Sequence, residues 1–204
     1  MTSQRLISAD TPRGKRRLIE AAARLAMRKG STRSLVLREV AREAGLNHNT
    51  FYRHFDDVPG MMLAIVDDFV GELRQGLRRE LMRVPAGEVP SPRVVGWFFD
   101  FALEHDAVFT VAFRERYGPP GPLRTRVVDT MAAIREDMIV DFQTLGWLVE
   151  ADIDDDLRAL IDIMVNEVFC MGLDLIDDPK RRERMLKTAA GLFTLVIARP
   201  SDTR

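Results

Sequence analysis

The stretch from Gly45 to Asp56, GLNHNTFYRHFD, holds two of the chain's three histidines beside Phe51, Tyr52, Phe55 and a short polar run. Residues of these types can serve three chemistries. A zinc helix wants histidines at i and i+4 with further ligands close by. His48 and His54 are six apart, on different helical faces, and the only cysteine is Cys170. A catalytic histidine wants a nucleophile and an orienting carboxylate gathered in a cleft, and a short solvent-facing helix offers neither. The expectation is therefore no catalytic residue, no metal ligand and no cofactor. What remains is a surface shaped to lie on something else: Asn47, His48, Asn49 and Thr50 are small or polar, while Tyr52, Arg53 and His54 carry groups that donate to anionic oxygens.

Such a surface needs a scaffold. Gly45 stands where a helix wants a left-handed stop, and Asn47 can cap a helix running to about Phe55. Phe51 and Phe55, four apart, share its inward face. Before the glycine, Leu37, Val40, Ala41 and Ala44 form the buried stripe of a short helix over Leu37 to Glu43. Earlier still, Leu18, Ala22, Leu25 and Ala26 make one stripe on a helix that Thr11 and Pro12 can start and Gly30 ends. Two helices joined by about three residues, one of them glycine, form a helix-turn-helix. Its first helix braces a second whose N-terminal residues point outward into a major groove.

The charge distribution agrees. The net charge is -1, yet Met1 to Phe55 holds twelve Lys or Arg against four acids, a net +8, which leaves -9 for the rest. This split points to a polyanion-binding head on a body that avoids polyanions. The composition, 46% hydrophobic and 30% charged, is that of a globular protein with a real core. No stretch approaches the roughly 18 apolar residues of a membrane span, so no membrane association is expected. The N-terminus lacks an apolar signal region, and one cysteine among apolar neighbours fits a reducing compartment; a cytoplasmic location is expected.

After the head, the pattern is helical throughout. Val58-Pro59-Gly60 opens a helix to about Met82, and further helices are expected near 93–104, 106–117, 120–146, 153–177 and 179–198. The fold class is all-α with about nine helices, divided into a head over 1–57 and a helical body over 58–204. VPAGEVPSP, from Val84 to Pro92, is the clearest break in composition but follows the connecting helix. The acidic run Asp152, Asp154, Asp155 and Asp156 stands at a helix start, where carboxylates favour the positive end of the dipole. The last two helices carry more apolar width than one domain buries, which implies a partner surface.

The stretch LREVAREAGLNHNTFYRHF, following RKGSTRS, resembles the DNA-binding head of the TetR family of bacterial transcriptional repressors. The later VAFRERYGPPGPLR resembles the TetR-like subgroup that regulates unsaturated fatty-acid synthesis and desaturation. The resemblance implies a homodimer that pairs through its last two helices and binds a palindromic operator in double-stranded DNA, its half-sites about one turn, roughly 34 Å, apart. Phosphate contacts are then expected from Arg13, Arg16, Arg38, Tyr52, Arg53 and His54, and base-edge contacts from Asn47, His48, Asn49 and Thr50. It also implies a small apolar effector, of which a long-chain acyl thioester is the subgroup's example. Phe98, Phe109, Phe113, Ile134, Met138, Phe142 and Phe169 are candidates to hold the chain, although the same residues can simply fill a core. Arg114 and Arg116 are candidates for the head group, or else members of ordinary ion pairs beside Glu115.

Two departures from the family pattern matter. Val36 stands where members often have a capping Ser or Thr, which leaves Glu39 to reach back alone or Ser34 to cap one turn earlier. Asp56 follows the motif's last aromatic where a phosphate-holding Lys is common, so that contact is not expected here. A helical adaptor and a small all-α enzyme are the rival classes.

Overall fold

The computed structural model describes residues 12–85, 88, 91–149 and 153–197. All elements among these residues are helical: α1 (Arg13–Lys29), α2 (Leu37–Glu43), α3 (His48–Tyr52), α4 (Val58–Leu81), α5 (Ser91–Glu104), α6 (Asp106–Arg116), α7 (Pro122–Thr144), α8 (Asp155–Asp177) and α9 (Arg182–Ile197), the last preceded by a single 3-10 turn over Pro179–Arg181. The helices fall where the apolar periodicity places them, with shifts at the ends. Pro12 is the N-cap residue of α1 with no side-chain cap, and Thr11, expected to cap it, lies outside the described residues.

The third helix is shorter than expected. It ends at Tyr52, with Arg53 as its cap, and Phe55 is reached by a turn in which the Phe55 amide still donates to the Phe51 carbonyl at 3.0 Å. Neither cap proposed for α2 forms. Val36 is its N-cap without a side-chain bond, Glu39 is taken by Lys29, and the Ser34 hydroxyl donates to the Ser31 carbonyl at 3.0 Å. Asp154 does cap α8, accepting from the Leu157 amide at 2.7 Å; Asp152 lies outside the described residues.

The chain forms two compact units, one over residues 1–72 and 104–128, the other over 73–103 and 129–204. In the first, α1 packs on α2, α3 and α6. Leu18, Ile19, Ala22 and Ala26 of α1, Val40 and Ala41 of α2 and Phe51 of α3 form the head's core, all at or near zero exposure. A further cluster joins Val66 of α4, Ala112 of α6 and Val127 of α7. In the second unit α8 packs on α9. Its core holds Phe98, Phe142, Leu157, Ile161, Met164 and Phe193, with Phe98 and Phe169 rings 4.9 Å apart. Gly76 lets α4 approach α5 closely: a Cβ there would fall 2.0 Å from the Trp97 ring.

Candidate nucleic-acid interface

The turn between α2 and α3 is built from backbone. Ala44 ends α2 in right-handed geometry, Gly45 takes φ +61°, and the Leu46 amide donates back to the Ala41 carbonyl at 2.9 Å. The left-handed φ is what favours glycine at Gly45; a Cβ would also sit 2.6 Å from Nη2 of Arg17, the mobile end of a flexible side chain, and would displace it. Arg17 itself donates to the Gly45 carbonyl at 3.4 Å, a strap from α1 across the turn. Asn47 Oδ1 then accepts from the Asn49 amide at 3.0 Å, satisfying one of the free donors that open α3.

Phe51 fixes the orientation of α3. It is fully buried, with the Phe55 ring 5.7 Å away, and the Lys15 ammonium lies over Phe55 at 5.6 Å from its centroid. With that face turned inward, the opposite one carries Asn47, His48, Asn49, Tyr52 and Arg53, all exposed, Tyr52 by 60%. Thr50 and His54 are half-buried instead, both facing α1 at Gly14; His54 Nε2 would lie 3.3 Å from a Cβ there. The side chain of Asn47, placed among the base readers by its position, has its oxygen engaged as the cap.

The basic residues sort into two groups. Arg24 and Arg28 of α1 pair with Glu43, with Arg28 Nη2 at 2.9 Å, and Lys29 pairs with Glu39. The bond from Arg28 holds the Glu43 carboxyl below its ordinary range, and that from Lys29 does the same to Glu39. Arg13, Arg38 and Arg53 are exposed and make no ion pair or hydrogen bond with any described residue. Arg16 is half-buried. Among the described residues no three His, Cys, Asp or Glu side chains are grouped to hold a metal.

The candidate effector residues are divided between the two units. In the second unit, Phe98, Ile134, Met138 and Phe169 line one void of about 30 Å³, and Ile134, Met138 and Phe142 line another of about 30 Å³. The second opens between two ion pairs missed in the sequence: Arg74 to Asp137 in a bidentate pair at 2.6 and 2.8 Å, and Arg78 to the buried Asp141 at 3.5 Å. Their spacing of four on both α4 and α7 was the available signal. Burial pushes the Asp141 carboxyl up, against the pull of Arg78. Phe109, Phe113, Arg114 and Arg116 belong to the first unit and line neither void. Phe109 and Phe113 stack on each other, Arg114 is exposed, and Arg116 lies over the Tyr117 ring with Nη1 buried and without a hydrogen-bond partner.

Two further ties link the head to α6 and the turn after it. Thr32, in the α1–α2 loop, donates its hydroxyl to Glu115 Oε1 at 2.5 Å. Its neighbour Arg33 donates to the carbonyls of Pro119 and Pro120 at 3.1 and 2.7 Å. In the sequence Glu115 stands out only as the neighbour of Arg114 and Arg116.

Comparison with known proteins agrees with this geometry. Residues 18–65 match the family of bacterial regulatory proteins of the tetR family. Among solved structures, the fatty acid degradation regulator FadR of Bacillus halodurans has a TM-score of 0.72 at 12% identity, over 93% of this chain and 97% of that one. FadR of Bacillus subtilis in complex with stearoyl-CoA has a TM-score of 0.66 at 13% identity, over 90% of this chain and 97% of that one. A tetR-family transcriptional regulator of Streptomyces coelicolor has a TM-score of 0.63 at 20% identity, over 91% of this chain and 79% of that one. At these identities the likeness is one of fold. Residues 18–65 thus match the head described for the tetR family, and the helices around them follow the fold of these solved regulators.

Proposed function

We propose that this protein is a sequence-specific transcriptional repressor that binds a palindromic operator as a homodimer and is controlled by a small apolar effector. The observation that carries the reading is the head itself: a short helix anchored by Phe51 turns His48, Asn49, Tyr52 and Arg53 to solvent, flanked by Arg13 and Arg38, which have no partner among the described residues. Arg13, Arg38, Tyr52 and Arg53 meet phosphates, with Arg16 and His54 at the edge of the same surface. His48, Asn49 and Thr50 approach base edges, and Asn47 holds the helix that presents them. A second copy supplies the other half-site. Ile163 of α8 and Leu195 of α9, 64% and 73% exposed in the single chain, support pairing through these helices.

The effector is proposed to enter the second unit among Phe98, Ile134, Met138, Phe142 and Phe169, with Arg74 and Arg78 near its anionic end. A long-chain acyl thioester is the candidate, supported by the stearoyl-CoA bound to the Bacillus subtilis relative. Voids of about 30 Å³ hold about one water each, so such a chain enters only if side chains move aside. Met138 and Met164 are flexible enough to do so. The effector acts by binding one arrangement of the heads better than another, and that difference sets the largest shift it can cause.

In vitro selection from random duplexes tests the reading. The expected consensus is palindromic, with half-sites about one turn apart, bound by a dimer in sedimentation. Enrichment of no sequence, or a single half-site bound by a monomer, would contradict it. Stearoyl-CoA is expected to alter operator affinity; equal affinity with and without it would remove the lipid effector from the proposal.

A further inference from the structure

A cavity of the first unit shares no lining residue with the proposed effector site. It has a volume of about 370 Å³, within the range of small-molecule sites. Its walls come from the α1–α2 loop, the first turns of α4, the end of α6 with the turn that follows, and the start of α7. Leu35, Met62, Leu63 and Leu123 make them apolar, and Leu35 and Met62 are buried. An apolar group placed against these walls would displace water from them, which favours an apolar occupant.

The polar groups around it are unequal. The Glu115 carboxylate is engaged by the Thr32 hydroxyl, and the Arg33 guanidinium by the Pro119 and Pro120 carbonyls. Arg124 also lines the cavity, is half-buried, and has no hydrogen bond or ion pair with any described residue. α7 begins at Pro122, and its first turn, where Arg124 stands, holds no acidic residue. The positive end of that helix and the idle guanidinium thus act at the same place, and both favour an anion. Arg33 adds a second positive charge, against the single negative charge of Glu115.

We propose that this cavity is a binding site for a compact organic monocarboxylate, its carboxylate on Arg124 and the α7 amides and its apolar body against Leu35, Met62, Leu63 and Leu123. The site is separate from the effector site of the second unit. A ligand there would brace the loop carrying Thr32 and Arg33 against the start of α4, and so bias the orientation of the head. This regulatory consequence rests on the DNA-binding function proposed above; the binding itself does not.

The test uses the full-length chain labelled with ¹³C at methionine methyls, the Met62 resonance being assigned from Met62→Leu. 3-Phenylpropionate is titrated in, with 3-phenylpropionamide as the uncharged control. The expected result is a saturable shift of Met62 that leaves Met164 still, weakened about tenfold or more for the amide and for Arg124→Ala, whose melting temperature stays that of the wild type. The site is overturned if no saturable shift occurs at millimolar ligand, if acid and amide titrate alike, or if Arg124→Ala binds as the wild type does. Operator affinity measured with and without 3-phenylpropionate is expected to differ; no difference despite a saturated Met62 shift would overturn the regulatory consequence. If Met62 shifts while no duplex is bound at all, the site stands and the proposed function falls.

Discussion

Around the helix-turn-helix, Arg13, Arg38 and Arg53 stand without partners among the described residues, whereas in the second unit Arg74, Arg78, Arg93, Arg135, Arg158 and Arg182 each face a carboxylate. Exposed ion pairs contribute little to stability, so the pairing in the second unit is mostly a way to keep charge from acting at a distance. Cations gathered without partners repel one another, and the fold gains nothing from them. Their use lies outside the chain. The head also spends Glu39 and Glu43 on Lys29, Arg24 and Arg28, at the end of α1 away from α3, and leaves the end near Tyr52 and Arg53 positive.

Phe51→Ala strikes the comparison hardest, because it removes the anchor that holds α3 against α1 and α2. A fully buried phenylalanine in a small core is expected to cost about 3–5 kcal/mol on truncation. Thermal unfolding of the variant should show it, together with loss of duplex binding. Survival of both would mean that α3 is held by something other than its inward face.

Gly76→Ala is the matching change in the second unit. A methyl group there would meet the Trp97 ring at 2.0 Å, so α4 or the indole must shift, at about 1–3 kcal/mol. Denaturant melts should show the loss, and an unchanged midpoint would mean that the indole moves freely. Because Arg79 lies over the same ring, at 5.9 Å from its centroid, tryptophan fluorescence should change with it.

Much of the head is legible because its signals are local. Gly45, Asn47, Phe51 and Phe55 fall within one short window and dictate a turn, a cap and a buried face in sequence. What crosses between helices was not legible. That Arg17 straps the Gly45 carbonyl, that Gly14 receives Thr50 and His54, and that Glu43 silences Arg24 and Arg28 depend on how α1 lies on the others. The same limit explains the effector residues. Aromatic content marked Phe98, Phe109, Phe113 and Phe142 alike, and only the packing assigns them to different units. The end of α3 at Tyr52 was not legible either, since Arg53 keeps right-handed dihedrals and the Phe55 amide still donates to the Phe51 carbonyl.

Arg74→Ala sharpens the contrast from the paired side. Both partners are more than two-fifths exposed, so despite bidentate geometry the loss is expected at about 0.5–1 kcal/mol after allowing for solvent screening. Operator affinity without effector should not change. A large drop in that affinity would show that paired cations also meet DNA.

A smaller effect concerns His105, buried at 5% exposure at the α5–α6 corner, with Glu72 Oε2 3.9 Å from its Nε2 and the Phe69 ring edge-on to it. Burial pushes the imidazole below its ordinary 6.5, against the pull of Glu104 and Asp106. The unfolded chain binds a proton as pH falls through 6.5 that the fold resists, so this contribution is present above 6.5 and is lost as pH falls toward the folded value. Glu72, pushed up by burial and by Asp68 and Glu104, works in the opposite sense at lower pH. Melting temperatures of wild type and His105→Gln should therefore converge as pH falls from neutral to 6. Parallel curves would contradict this account of His105.

The central claim is that the head's unpaired cations exist for phosphates, and the salt dependence of binding to the selected duplex tests it most directly. The slope of log affinity against log salt should fall by about one for Arg38→Ala and for Arg53→Ala, and stay at the wild-type value for Arg74→Ala. Equal slopes in all four proteins would contradict the account.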